Sequence, residues 1–234
     1  MNIGNKNLTK THDFILGPID TDSISFCKPD MSEFTEEEQD QLLEEINSYF
    51  PELIKYDHDG YFSSCCIVRA KNYILFDGDK VKIKGSALKG STKEKALKEM
   101  IGKFVDCLIK DNYDPQQLVS IYNDYVKEAK NVTDINRWCS RKTITDKILN
   151  PERTNEQKVL DALEDSEFQE GDRKYFYFKE DGSLGLAEHF DGCYNKDRLY
   201  EKIWKTAAIF ETIVDKSLFI KYHLKKNREL VENL

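Results

Sequence analysis

Up to about residue 85 the chain contains short apolar runs typical of strands and one helical stripe, and from about residue 90 a helical period dominates. Residues 11–16 and the alternating residues 23–27 flank a tight turn and predict a β-hairpin with Ile24 and Phe26 on one face. Thr35 and Glu38 then form the signature of a capping box and predict a helix with one apolar stripe, which ends before Pro51. The stripe comprises Leu42, Leu43, Ile46, Tyr49 and Phe50.

Three further strands are predicted at residues 65–68, 73–76 and 80–85, with a hairpin turn at residues 77–79. In the third of these strands, Val81 and Ile83 are expected to face inward. The lysines at positions 80, 82 and 84 then line the opposite face as a row of cations.

The remainder of the chain is predicted to be mainly helical. Ser91 and Glu94 give a second capping-box signature, which predicts that a long helix begins there. Further helices are expected at residues 115–129, 155–163 and 195–214, and one strand at residues 174–178. Residues 131–150 are less periodic and carry Arg141 and Lys142, which suit either phosphate binding or a solvated surface. The pattern predicts an α+β protein with a first domain at residues 1–88 and a mainly helical second domain at residues 89–234.

Composition adds a soluble globular class, with 39% hydrophobic and 33% charged residues. The sequence has no apolar run long enough to span a membrane and no signal peptide, so we expect a cytoplasmic protein without a membrane partner. Its six cysteines form no Cys-x-x-Cys pair, which favours reduced thiols over disulfides or a zinc site.

The net charge of −8 conceals a segregation of charge along the chain. Residues 30–59 contain eleven acidic residues and one basic residue, whereas residues 69–98 contain nine basic and three acidic residues. The basic segment, interleaved with aromatic residues and glycines, is typical of a surface that contacts phosphates and equally of a solvated charged face.

Asp20 and Asp22 lie one residue apart in the turn of the first hairpin. Carboxylate oxygens are the ligands that Mg²⁺ prefers, so this turn is a candidate metal site, although Asp-x-Asp is also common in solvated turns.

Several motifs together resemble family B DNA polymerases, particularly those of large tailed phages. They occur in the family's order: Asp20-Thr21-Asp22-Ser23, Lys71-Asn72-Tyr73, Lys82-Ile83-Lys84-Gly85, a Gly-Ser-Thr helix start, and Gly171-Asp172-Arg173-Lys174-Tyr175. The resemblance covers nearly the whole chain. It implies the C-terminal part of the palm, an antiparallel sheet portion, followed by a mainly helical thumb with a small β element near its end.

The resemblance also implies the roles of individual residues. Asp22 would bridge two Mg²⁺ ions that align the primer 3′-hydroxyl with the incoming dNTP, and Asp20 would be the supporting carboxylate. Contacts to primer-template DNA are implied or expected at eight positions: Thr21, Lys71, Tyr73, Lys82, Lys84, Lys89, Arg141 and Lys142.

Two departures from the family pattern stand out. Pro18 and Ile19 lie between the usual glycine and Asp20, which predicts a turn that is two residues longer. The other palm carboxylate, the fingers and the exonuclease acids should lie well upstream, yet Asp20 follows Met1 by nineteen residues. The sequence therefore predicts the C-terminal fragment of a split DNA polymerase, inactive without a second polypeptide and possessing an exposed apolar palm edge for docking; a sliding clamp is a further expected partner.

Two alternatives stay open at this point. A non-catalytic DNA-binding or processivity factor derived from a polymerase thumb would also bind duplex DNA, but its turn would bind no metal. A glycosyltransferase would use Asp-x-Asp to hold a metal and a nucleotide sugar, but the sequence lacks the βα nucleotide-binding half that such an enzyme needs.

Overall fold

The structure is a computed structural model that describes residues 12–20, 23–78, 80–90, 94–110, 113–164 and 166–234. The chain divides into two compact units, Met1–Gly85 and Ser86–Leu234. Within the described ranges the chain forms eight α-helices and three small antiparallel sheets, which confirms the predicted α+β class.

The first unit begins with the predicted hairpin, formed by β1 (Ile15–Ile19) and β2 (Ile24–Cys27). The pairing Leu16↔Phe26 is followed by Ile19↔Ile24, so β1 contains a bulge at Gly17 and Pro18. A bulge accommodates proline because one residue there need not donate to the partner strand.

The predicted capping box is confirmed at the start of α1 (Glu36–Ser48). The Thr35 side chain accepts the Glu38 amide at 3.2 Å, and the Glu38 carboxylate accepts the Thr35 amide at 2.8 Å. Leu42 and Ile46 are the buried residues of the apolar stripe. Aromatic contacts fix the hairpin locally, since Phe14 stacks on Phe26 at 5.1 Å between ring centroids.

A second sheet in this unit has the order β3-β4-β5 and comprises Ser64–Arg69, Asn72–Asp77 and Lys80–Lys84. The central strand β4 is buried at Asn72, Tyr73, Ile74 and Leu75. The expectation that Val81 faces inward is wrong, because its side chain is 41% exposed in the outer strand β5. Val81 pairs with half-buried Phe76, near the hairpin end of β5.

The second unit carries the larger number of helices. Its elements are α2 (Ser86–Lys89), α3 (Lys95–Leu108), α4 (Pro115–Lys130), β6 (Ser140–Thr143), α5 (Asp146–Leu149), α6 (Thr154–Asp161), β7 (Arg173–Phe178), β8 (Leu184–Leu186), α7 (Lys196–Ala207) and α8 (Arg228–Glu232). Helices α3, α4 and α7 pack on one another and bury Phe104, Leu118, Tyr122 and Ile203 almost completely. Three of these helices correspond to the predicted ones at residues 115–129, 155–163 and 195–214, although α7 ends earlier.

The second predicted capping box does not form as expected. Helix α3 begins at Lys95, and Glu94 is its N-cap without a side-chain capping hydrogen bond. Glu94 is instead 5% exposed and forms an ion pair with Lys202 of α7. Ser91 lies outside the described residues.

Strands β6, β7 and β8 form the third sheet, in that order. Strand β6 lies within residues 131–150, the less periodic stretch, and was not predicted. Its four residues are all polar and too few to show alternation. One face of this sheet packs against α5 and α6 through Ile144, Val159, Phe176 and Leu186.

The chain after α7 departs from the expected continuous helix. Helix α7 ends at Ala207, and a 3₁₀ turn, Ala208–Phe210, follows. Phe219 and Tyr222, further along, are 2% and 1% exposed and pack beside the ring of Tyr122.

Among the helices in the described ranges, none is both long enough and apolar enough to cross a membrane.

Candidate functional site

Asp20 directly follows β1 and begins the turn of the first hairpin. Its backbone amide donates to the Ser23 carbonyl at 3.0 Å, and Ile19↔Ile24 is the last strand pair before the turn. Pro18 and Ile19 therefore lie in β1 and not in the turn. The expectation that these two residues lengthen the turn is wrong, because both belong to β1, where the bulge adds one residue relative to β2.

Lys71 lies close to Asp20 in the first unit. It occupies the connection between β3 and β4, and its Nζ is 3.4 Å from Asp20 Oδ1. The side chains are 68% and 38% exposed, and an ion pair so exposed to solvent contributes only about 0–1 kcal/mol to stability. The pair is informative about position instead, because two residues fifty-one apart in sequence bring a carboxylate and an ammonium side by side.

The Lys71 connection is held by Asn72 and Gly85, two residues whose role the sequence did not reveal. The Asn72 side chain is buried, and its amide donates to the Ala70 carbonyl at 2.9 Å. Gly85 has φ +101°, and a Cβ there would lie 2.3 Å from both the Lys71 carbonyl oxygen and Asn72 Oδ1. Only glycine fits directly after β5, and this local packing explains the glycine of the Lys-Ile-Lys-Gly motif.

The lysine row of β5 has a neighbouring carboxylate that the sequence did not predict. Lys82 Nζ donates to Asp59 Oδ2 at 2.7 Å and lies 5.6 Å from the ring centroid of Phe62. The hydrogen bond from Lys82, assisted by the charges of Lys82 and Lys84, lowers the pKa of Asp59. A phosphate that contacts this row would therefore compete with Asp59.

Tyr73 and Lys84 are paired across β4 and β5. The Tyr73 side chain is 5% exposed and packs within the sheet, whereas Lys84 is half-buried beside it. Paired residues of antiparallel strands share a face, so the stem of Lys84 lies on the same side of the sheet as the ring of Tyr73.

The remaining predicted DNA-binding residues lie in the second unit. Lys89 is exposed at the end of α2. Arg141 and Lys142 are adjacent in β6, opposite Tyr175 and Lys174 respectively. Since successive residues of a strand point to opposite faces, Arg141 and Lys142 do not form one patch. Arg141 is exposed and Lys142 is half-buried.

The predicted Mg²⁺ site is described only in part. Thr21 and Asp22 lie outside the described residues, which leaves Asp20 as the one described acid of the motif. Elsewhere in the described ranges, no three His, Cys, Asp or Glu residues are grouped so that they could hold a metal ion. Mg²⁺ prefers octahedral oxygen coordination, so Asp20 fits such a site only together with Asp22 and ligands from outside the described residues.

A known structure shares this fold. The family B DNA polymerase from the hyperthermophilic archaeon Pyrobaculum calidifontis is similar with a TM-score of 0.60 and 14% sequence identity. The match covers 89% of this chain and 28% of the polymerase chain, so the chain corresponds in fold to a little over a quarter of that protein. Neither a protein-family model nor a curated protein sequence gives a significant match.

Proposed function

We propose that this chain is the C-terminal palm and thumb part of a family B DNA polymerase and contributes Asp20 and Asp22 to template-directed nucleotidyl transfer. The observation that carries the proposal is the meeting of two separate motifs of that family in the first unit. Asp20 of the Asp-Thr-Asp turn lies 3.4 Å from Lys71 of the Lys-x-Tyr element, within a fold similar to that of a known family B polymerase.

The expected chemistry follows from these residues. Asp22 and Asp20 would supply oxygen ligands to two Mg²⁺ ions, which stabilise charge on the attacking and leaving oxygens during in-line transfer. Lys71 would lie beside the primer terminus and contact its backbone without reading sequence. In the free chain Lys71 pairs with Asp20, so metal and DNA would exchange this pair for two separate contacts.

The second unit would act as the thumb and contact the product duplex. The side chains of Lys89 and Arg141 are exposed to solvent, so their charges are available to phosphates. Such contacts release counterions, and the affinity for duplex DNA should therefore decrease as the salt concentration rises.

The remaining polymerase regions would lie outside these 234 residues, and we expect a second polypeptide to supply them. The surface of the hairpin supports docking of such a partner. Within the described residues β1 pairs only with β2, and Ile15 and Ile19 of β1 are 45% and 41% exposed. A strand edge with exposed apolar side chains is a template for pairing with another chain.

The test is reconstitution with a polypeptide that carries the exonuclease, the fingers and the rest of the palm. The mixture should extend a primer on a DNA template in the presence of Mg²⁺ and dNTPs. The Asp22→Ala variant should lose this activity while it retains binding to primer-template DNA, because the carboxylate acts on the reaction and not on the duplex. Asp57→Ala, which removes an exposed acid elsewhere in the first unit, is the matched control and should remain active.

Normal extension by the Asp22→Ala complex would show that the assignment of the site is wrong. Duplex binding without extension in any mixture would instead favour a non-catalytic DNA-binding or processivity factor.

A further inference from the structure

The second unit contains a cleft of about 280 Å³ that the polymerase proposal does not use. It lies between α6 and the hairpin formed by β7 and β8. Its polar lining consists of Lys158, Asp161, Tyr177, Lys179, Ser183 and His189.

Tyr177 gives this cleft a buried donor. The residue is 2% exposed, and its hydroxyl has no hydrogen-bond partner with suitable geometry in the described part of the chain. The Asp191 backbone amide lies near the phenolic oxygen, but an amide can only donate, so the hydroxyl proton still lacks an acceptor. A buried hydroxyl whose proton lacks an acceptor is destabilising, and a ligand that accepts the proton would recover this loss.

Gly185 makes room for this hydroxyl. It pairs with Tyr177 across β7 and β8, and the end of the Tyr177 ring lies directly over it. A Cβ at position 185 would be 2.6 Å from Tyr177 Cζ and 2.7 Å from the hydroxyl oxygen. The hydroxyl therefore occupies space that any other residue at position 185 would fill, and Gly185 itself lines the cleft.

The charged groups of the cleft favour an anion. Lys158 and Lys179 contribute two positive charges to the lining. The one carboxylate in the lining, Asp161, accepts a hydrogen bond from Gln157 Nε2 at 2.7 Å. The contact from Lys158 Nζ to the Gly182 carbonyl is 3.5 Å long, so this ammonium retains donors for a ligand.

The tyrosine remains a donor at neutral pH. Burial, and next the nearby Asp191 carboxylate, raise the pKa of Tyr177. The phenol is therefore protonated, and an acceptor with several oxygens could take hydrogen bonds from it and from both lysines.

We propose that this cleft binds a phosphate group, held by the Tyr177 hydroxyl, Lys158 and Lys179. A free phosphate or phosphate ester and a phosphate of the DNA backbone present the same oxygens, and competition with duplex DNA distinguishes these sources. The proposal does not depend on polymerase activity, because binding of inorganic phosphate is measured on the chain itself.

The experiment is a titration of the full ¹⁵N-labelled chain with inorganic phosphate at constant ionic strength, followed by ¹H–¹⁵N NMR. The Ser183 and Gly185 amides should shift saturably. In Tyr177→Phe the dissociation constant should rise about tenfold, because one charge-assisted hydrogen bond is lost while the ring is kept. Lys179→Met should weaken binding by a similar factor.

Matched controls exclude general effects of charge and folding. Tyr175→Phe alters an exposed tyrosine of the same strand, and Lys127→Met removes an exposed lysine from α4; both should bind phosphate as the wild type does. The proposal is overturned if phosphate produces no saturable shift at Ser183 and Gly185, or if Tyr177→Phe binds with unchanged affinity. Unchanged folding of Tyr177→Phe is read from the rest of its spectrum.

A second arm identifies the source of the phosphate. If a saturating primer-template duplex displaces inorganic phosphate from Ser183 and Gly185, the cleft takes a backbone phosphate of DNA. If inorganic phosphate still binds with the same affinity in the presence of the duplex, the ligand is a free phosphate or phosphate ester. Both results support a phosphate site, and only the first connects it with the thumb.

Discussion

Lys71 combines backbone strain with a position beside Asp20. Its φ of 59° lies in the left-handed region, which costs a residue with a Cβ about 1–2 kcal/mol. Glycine or asparagine would occupy such a turn more readily. Retention of a strained lysine next to a carboxylate is the kind of outlier that motivates a functional hypothesis for its side chain.

We expect Lys71→Gly to separate strain from function. Relief of the left-handed strain and the greater flexibility of glycine in the unfolded chain oppose each other, so the free energy of unfolding should change by less than about 1 kcal/mol. Affinity for primer-template DNA should fall, and the slope of log affinity against log salt should decrease by about 1, because one phosphate contact is lost. Fluorescence anisotropy at several salt concentrations measures both the affinity and the salt slope.

Met31 offers a matched control for this change. It has the same φ of 59° and a side chain that is 67% exposed in the same unit. Met31→Gly should therefore have the same small effect on stability and leave the salt slope unchanged. Identical DNA binding by the two variants would remove Lys71 from the proposed DNA contacts.

At the scale of elements, Gly85 couples the end of β5 to the connection between β3 and β4. Gly85→Ala would introduce both a left-handed alanine and a Cβ 2.3 Å from the Lys71 carbonyl oxygen. Because that oxygen belongs to the backbone, the connection must move. We expect a loss of about 2–4 kcal/mol in the free energy of unfolding, the sum of the conformational cost and overpacking.

Gly78→Ala separates these two contributions. Gly78 also has a positive φ, +54°, but a Cβ there would meet nothing within 4 Å. Chemical denaturation should show that Gly78→Ala loses only the conformational part, about 1–2 kcal/mol. Equal losses in the two variants would mean that the close approach of Gly85 to Lys71 does not constrain the sheet.

The two capping-box signatures show how far local sequence determines these elements. Thr35 and Glu38 form the predicted reciprocal hydrogen bonds, because both partners lie within one helical turn. Glu94 has the same local signature but is buried against Lys202, which is more than a hundred residues away in sequence. Local patterns predicted the hairpin, the β3–β5 strands and most helices; they could not predict a partner supplied by tertiary packing.

The same limit applies to the candidate site. The sequence identified Asp20, Lys71 and Lys82 by motif, and the structure places Asp20 beside Lys71. The sequence provided no indication that Asp59 pairs with Lys82, because Asp59 lies in a polar loop without periodicity. Pairings of this kind depend on loop paths, which hydrophobic patterns do not determine.

At the scale of the whole molecule, the well-buried core is distributed unequally between the two units. Of the largest fully buried side chains in the described ranges, only Ile74 lies in Met1–Gly85. The others lie in the second unit: Trp138, Tyr122, Tyr222, Phe104, Phe176, Phe210, Phe219, Met100, Leu118 and Ile144. The first unit also has several exposed apolar side chains, among them Leu53 at 98% and Ile67 at 52%. Stability within a protein follows the local density of buried apolar contacts, so the first unit should be the less stable one.

Native-state hydrogen exchange tests this inequality. We expect amides of β4, such as that of Ile74, to exchange through openings of lower free energy than amides of α4, such as that of Tyr122. Equal opening free energies in β4 and α4 would show that the chain unfolds as one cooperative unit and would contradict the argument.

Addition of the polypeptide with the remaining polymerase regions should raise protection in β1 and β4, because ligands that bind only the folded state stabilise it by mass action. Protection in α4 serves as the internal control and should change less, since the exposed edge of β1, and not the core around Tyr122, is the surface that the partner is expected to cover.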